Sequence, residues 1–141
     1  MNKLNVLKKT GIKKTAARTA ILTLLKELKK PLSVSEIIKK LNQININVDR
    51  ATIFRNINLL TKKELINKVE FNEGKFRYES SSLPHHHHLI CTSCEKIKDI
   101  KSDLLHEEIE GITKLVSSLY GFVIEDHKVE FFGKCKSCRK N

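Results

Sequence analysis

His85-His86-His87-His88-Leu89-Ile90-Cys91-Thr92-Ser93-Cys94 holds four of the chain's six histidines and two of its four cysteines. The other two cysteines repeat the same spacing as Cys135 and Cys138, and the remaining histidines, His106 and His127, lie between the pairs. No His or Cys occurs before His85. Imidazole and thiolate are the side chains that hold transition metals, so the chain splits into a metal-handling half and a half with another task. Two Cys-x-x-Cys pairs can offer four thiolates to one tetrahedral zinc, a closed set that suits a structural site. A redox dithiol pair is the competing reading. In a reducing compartment such pairs bind metal more often than they form disulfides.

Residues 95–134 separate the pairs, and this insert must bring its ends together. The pattern predicts a strand from Glu95 to Ile100, a helix from Ser102 to Tyr120 stopped at Gly121, and a strand from Phe122 to Phe132. In an extended strand alternate side chains share a face, so His86 and His88 point one way and His85 and His87 the other. One histidine-rich strand can then feed two sites, the competing reading being a solvated loop. Glu79, Asp99, Glu107 and Glu108 are the carboxylates at hand. Mixed imidazole and carboxylate ligands suit Zn, Fe(II), Mn or Ni without choosing among them.

Charge divides the chain at the same place. Residues 1–80 carry 18 Lys and Arg against 7 Asp and Glu, whereas residues 81–141 carry 9 of each. The whole net charge of +11 therefore sits in the first segment, which points to a polyanionic partner, most often nucleic acid. No apolar run approaches the roughly 20 residues that span a bilayer, and no signal peptide is evident, so the expectation is a cytoplasmic protein without a membrane partner. There is no nucleophile–base pairing, no Gly-rich phosphate loop and no H-E-x-x-H motif, which argues against an enzyme.

The basic half predicts three principal helices and a hairpin. Leu4 to Lys9 suits a short helix stopped at Gly11. A helix from Thr15 carries Ala17, Ile21, Leu24, Leu25 and Leu28 at helical spacing, with Pro31 just beyond. Ser33 and Glu36 form a capping box that opens a helix through Leu41. Asp49 caps a helix to about Lys63, with Ile53, Ile57 and Leu60 on one side, Thr52, Arg55 and Lys62 on the other, and Asn58 at the edge. A polar, cationic helix face suits the major groove, where Arg pairs with guanine edges or phosphates and Asn with adenine. Leu65 to Phe71, the turn at Asn72-Glu73-Gly74, and Lys75 to Glu79 read as a wing. The competing reading of the third helix is an amphipathic surface helix with a solvated cationic face.

Several motifs, in order, resemble the ferric uptake regulator family of bacterial metal-dependent repressors over nearly the full length. They are Ala51-Thr52-Ile53-Phe54-Arg55, Arg77-Tyr78-Glu79, the histidine run leading into Cys91 and Cys94, and Gly121-Phe122 through His127 to Gly133, Cys135 and Cys138. The resemblance implies an α+β chain. A winged helix-turn-helix DNA-binding domain over 1–80 is followed by a hinge at 81–84 and a small α/β dimerisation domain over 85–141 with a four-cysteine zinc site. It implies a homodimer that binds an AT-rich inverted repeat in double-stranded DNA, with a structural Zn2+ and a regulatory divalent metal, Zn2+ or Fe2+. The structural zinc would lie on Cys91, Cys94, Cys135 and Cys138, and the regulatory metal on Glu79, His86, His88 and Asp99. A second site would use His85, His87 and His127 with His106 or Glu107. Lys13, Arg18, Thr52, Phe54, Arg55 and Asn58 would face DNA.

The departures are specific. Iron- and peroxide-sensing members carry a His where this chain has Pro31, and peroxide sensing oxidises a His ligand. Phe54 replaces the usual Tyr. Glu95 and Glu64 stand where Gly is common. The alternatives to a metal-dependent repressor are a zinc-stabilised DNA-binding regulator that senses nothing and a peroxide-responsive regulator.

Overall fold

A computed structural model describes residues 7, 9–101 and 103–140, and the chain divides into two compact units, Met1–Pro84 and His85–Asn141. The short helix expected over Leu4–Lys9 lies outside the described residues except at Leu7 and Lys9. Gly11, its expected stop, has φ +68°.

Helix α1 (Ala16–Leu28) is opened by Thr15, whose hydroxyl accepts from the Arg18 N–H at 3.3 Å. It buries Ala17, Ile21 and Leu25 and ends at Lys29 in the left-handed region. Strand β1 (Leu32–Ser33) follows, a two-residue element too short for any periodicity to announce. Helix α2 (Val34–Gln43) begins with the expected capping box. The Ser33 hydroxyl accepts from the Glu36 N–H, and Glu36 accepts from the Ser33 N–H at 2.8 Å. Helix α3 (Arg50–Lys62) starts where Asp49 Oδ1 accepts from the Thr52 N–H at 2.9 Å. Strands β2 (Ile66–Glu70) and β3 (Phe76–Ser80) form the wing, and β1 adds antiparallel to β3, giving the order β1-β3-β2.

Ile21, Leu25, Ile37, Leu41, Ile53, Ile57 and Leu60 are within 1% of complete burial, so three amphipathic helices share one core under the sheet. An ion-pair network fastens the wing to this core. Arg77 on β3 donates to Glu36 Oε2 at 2.7 Å and to Glu73 Oε2 at 2.8 Å. Partial burial raises the Glu36 pKa, but hydrogen bonds from Ser33 and the Arg77 guanidinium outweigh it and hold the carboxyl below its ordinary value.

In the second unit, β4 (His87–Cys91) lies between β5 (Ile97–Ile100), antiparallel to it, and β6 (Glu130–Gly133), parallel to it. Helix α4 (Asp103–Tyr120) connects β5 to β6 and stops at Gly121, φ +68°. Helix α5 (Lys136–Arg139) is a four-residue turn that the sequence pattern does not predict. Two expected strands are shorter than the pattern suggests. The strand expected from Glu95 begins at Ile97, because Glu95 sits at φ 58° inside the turn after Cys94. The strand expected over Phe122–Phe132 exists only as β6. Glu130 pairs with His88, β4 begins one residue earlier, and residues 122–129 have no ladder partner among the described residues.

Glu64 and Glu95, where the resemblance predicts Gly, both occupy the left-handed region, at φ 56° and 58°. There a Cβ crowds the neighbouring carbonyl, a cost that Gly would not meet. Relief of roughly 1–2 kcal/mol of strain, less about 0.5–1 kcal/mol of added unfolded-state freedom, favours Gly. Glu64→Gly should therefore raise stability by about 0.5–1 kcal/mol. The check is the urea midpoint; a lowered midpoint would show that Glu64 makes a compensating contact.

Candidate metal centres and nucleic-acid interface

Cys91 ends β4, Cys94 lies in the following turn, Cys135 caps α5 and Cys138 sits within it. The β4–β6 ladder closes the long insert, because Cys91 is in register with Gly133, two residues before Cys135. The four sulfurs lie within 4.8 Å of one another, with Cys94 and Cys135 3.8 Å apart. A zinc about 2.3 Å from each of four tetrahedral sulfurs sets edges of about 3.8 Å, so the spacing fits a four-thiolate zinc. The Cys135 N–H donates to Cys91 Sγ at 3.3 Å, and this bond, with those from Cys94 and Ser93, lowers the Cys91 pKa to about 6. Cys138, sharing its proton with Cys135 and Cys94, is pushed up to about 12. One thiolate forms readily while the last is resisted by its neighbours; a bound dication removes that repulsion.

The histidine run alternates, with His87 and His88 opening β4 and His85 and His86 just before it. His85 Nε2 is 3.1 Å from His127 Nε2, and His85, His87 and His127 form one cluster of potential ligands. His87 Nε2 makes no hydrogen bond among the described residues, as a ligand atom kept for a metal would not. Burial and the adjacent imidazoles lower the pKa of His85 and His87, which keeps both rings neutral and able to ligate. His106 stands at the edge of this group, its ring 6.1 Å from that of His85, and pairs with Glu110 at 3.3 Å. Glu107 is exposed on α4 and is not part of the cluster.

On the other face His86 Nε2 is 3.1 Å from His88 Nε2. Asp99 on β5 stands opposite His88 in the ladder. Its Oδ1 is 3.8 Å from His88 Nε2 and accepts no hydrogen bond among the described residues. Two imidazoles and an unsatisfied carboxylate oxygen suit a borderline divalent cation. Glu79 belongs to the first unit, on β3, paired with Asn67 of β2.

The other candidate surface is the outer face of α3. Arg55 and Asn58 are exposed, and Arg55 Nη2 donates to Thr52 Oγ1 at 2.9 Å. Phe54 is 37% exposed, with the Arg50 guanidinium 5.2 Å above its ring. Lys13 is exposed in the loop before α1. Arg18, expected to face DNA, donates from Nε to Asn56 Oδ1 at 2.9 Å and from Nη1 to the Lys13 carbonyl at 2.6 Å. The sequence reading missed Asn56. Its place three residues after Ile53 and four before Leu60 puts it on the apolar stripe, the signal that marks it as a buried polar residue.

The profile of the ferric uptake regulator family matches residues 9–132. The chain belongs to that family. It is 28% identical over 135 residues to the ferric uptake regulation protein of Campylobacter jejuni, covering 94% of this chain and 83% of that one. The Helicobacter pylori ferric uptake regulator, whose structure is described as revealing three functional metal binding sites, superposes with a TM-score of 0.84. It is 26% identical and covers 100% of this chain and 96% of its own. The Francisella tularensis regulator, solved with iron, gives a TM-score of 0.79 at 30% identity, covering 92% and 96%. As a member of this family the chain is a metal-responsive DNA-binding regulator of transcription, with a winged-helix unit and a unit bearing the four-cysteine centre. Among the described residues no helix is long and apolar enough to cross a membrane.

Proposed function

We propose that this protein is a cytoplasmic homodimeric repressor of metal-homeostasis genes that binds an AT-rich inverted repeat when a regulatory Zn2+ or Fe2+ is bound. The observation that carries it is the pairing of His86 and His88, with the unsatisfied Asp99 oxygen beside them, in a chain whose other unit presents a cationic recognition helix. His86, His88 and Asp99 would hold the effector. Glu79 is added as a ligand on the strength of the motif Arg77-Tyr78-Glu79 alone. His85, His87 and His127 would form the second site, with His106 at its margin.

Support for the dimer comes from α4. Leu104, Ile112, Leu115 and Leu119 form one stripe, each more than half exposed, and Phe122 and Val123 continue it at 69% and 88%. Apolar surface on that scale marks an association site, which a two-fold dimer would cover. The decisive experiment is operator affinity of zinc-loaded protein before and after adding Zn2+, Fe2+ or Mn2+. Metal should tighten operator binding. Equal affinity throughout would favour a zinc-stabilised regulator without sensing, the reading suggested by Pro31 standing where iron- and peroxide-sensing members carry a His.

Lys13, Thr52, Phe54, Arg55 and Asn58 would contact DNA. Arg55→Ala should cost about 1–3 kcal/mol of operator binding if Arg55 reads a base. A phosphate contact would instead weaken all sequences alike and reduce the salt slope by about one. Unchanged binding on operator and random DNA alike would remove Arg55 from the interface.

A further inference from the structure

We propose that Arg18 is a positioning residue for DNA recognition, locking the basic loop at Lys13 to the recognition helix through Asn56. The inference rests on the DNA-binding reading above and deepens it. Asn56 is 6% exposed on the inner face of α3, beside the fully buried Ile53 and Ile57. A buried amide in such a place needs partners. Its Oδ1 accepts from Arg18 Nε at 2.9 Å, and its Nδ2 donates to the Thr52 carbonyl at 3.0 Å. The same guanidinium donates to the Lys13 carbonyl at 2.6 Å. The Thr52 hydroxyl in turn accepts from Arg55.

One side chain therefore bridges the loop before α1 and the helix that carries Thr52 and Arg55, across 38 residues of sequence. Arginine suits this role because its donors diverge from a rigid plane, so two acceptors in different directions are held at a fixed separation. Lysine, with a single nitrogen on a flexible stem, cannot reproduce that geometry. DNA recognition requires loop and helix to meet backbone and groove together, so their relative placement is part of the binding energy. The rival role for Arg18 is a simple phosphate contact. The two roles differ over Asn56, which faces the core and has no route to DNA.

The test compares Asn56→Leu, Arg18→Lys and the double variant, all metal-loaded, on an operator duplex selected by wild type from a random pool and on random-sequence DNA. Asn56→Leu and Arg18→Lys should each weaken operator binding about tenfold, the worth of one charge-assisted hydrogen bond. Random-sequence binding should stay within about twofold and the salt slope should not change, because no phosphate contact is lost. The double variant should be no weaker than either single one, as expected for two ends of one interaction. Wild-type operator affinity in Asn56→Leu overturns the proposal. So does wild-type affinity in Arg18→Lys, since a lysine can replace a phosphate contact. Should Asn56→Leu fail to fold, shown by circular dichroism, Arg18→Lys alone decides. A wild type that selects no sequence overturns the DNA-binding reading, and the positioning role with it.

Discussion

Cys91→Ser should release the tightly held zinc and unfold the second unit. That unit has little core: Ile90, Cys91 and Ile109 are its buried apolar residues among those described, while Phe131 and Phe132 are more than 40% exposed. A domain of this size cannot rest on so few contacts and needs a staple. A structural zinc supplies about 10–16 kcal/mol of apparent binding energy, available only when the ligands are gathered by folding. Cys91 is the ligand that the fold prepares most, through the N–H of Cys135, so serine there removes the readiest thiolate. Zinc per chain, read by mass spectrometry of the native protein, should fall from one to zero, and the dimer should weaken. Acidification should act in the same direction, because protons compete with zinc for every thiolate. A Cys91→Ser protein with full zinc and wild-type thermal stability would overturn the assignment.

The second large effect concerns the switch. His88→Ala should abolish metal-stimulated operator binding while leaving the four-cysteine zinc in place, since the two centres share no residue. Glu79→Ala should do the same if Glu79 is a ligand as its motif suggests. A metal drives such a transition only by its difference in affinity for the two states, and moving a population from 1:99 to 99:1 takes roughly 10⁴-fold, about 5.5 kcal/mol. Losing one ligand of a small set erases most of that difference. By reciprocity the operator should tighten metal binding by the factor that metal tightens operator binding. The measurement is operator affinity with and without added metal for wild type and both variants. A His88→Ala protein that still responds would place the effector elsewhere, and the His85, His87 and His127 cluster would be the next candidate.

Features that depend on near neighbours were legible in the sequence. The capping box at Ser33 and Glu36, the cap at Asp49, the wing turn and the stop of α4 at Gly121 depend on side chains within a few residues of each other. The opposed faces of the histidine run follow from the period of two in an extended chain. The paired cysteines announced their chemistry because four thiolates have few other uses.

What the sequence alone could not decide is which distant residues meet. Arg18 with Asn56 and Arg77 with Glu36 each span about forty residues and were unforeseen, whereas Cys91 with Cys135 was expected from the paired spacing and His85 with His127 only through the family motifs. Those contacts depend on how two sheets close and three helices pack, which no local period encodes. The same is true of the strand expected over Phe122–Phe132. Its apolar residues suited an extended chain, but a strand persists only where a neighbouring backbone supplies hydrogen bonds, and β4 supplies them only from Glu130 onward. Sequence by itself determined the chemistry of the ligands and the local elements that carry them. Tertiary structure alone decided the polar contacts between distant elements, such as Arg18 with Asn56 and Arg77 with Glu36, because these are set by strand register and helix packing.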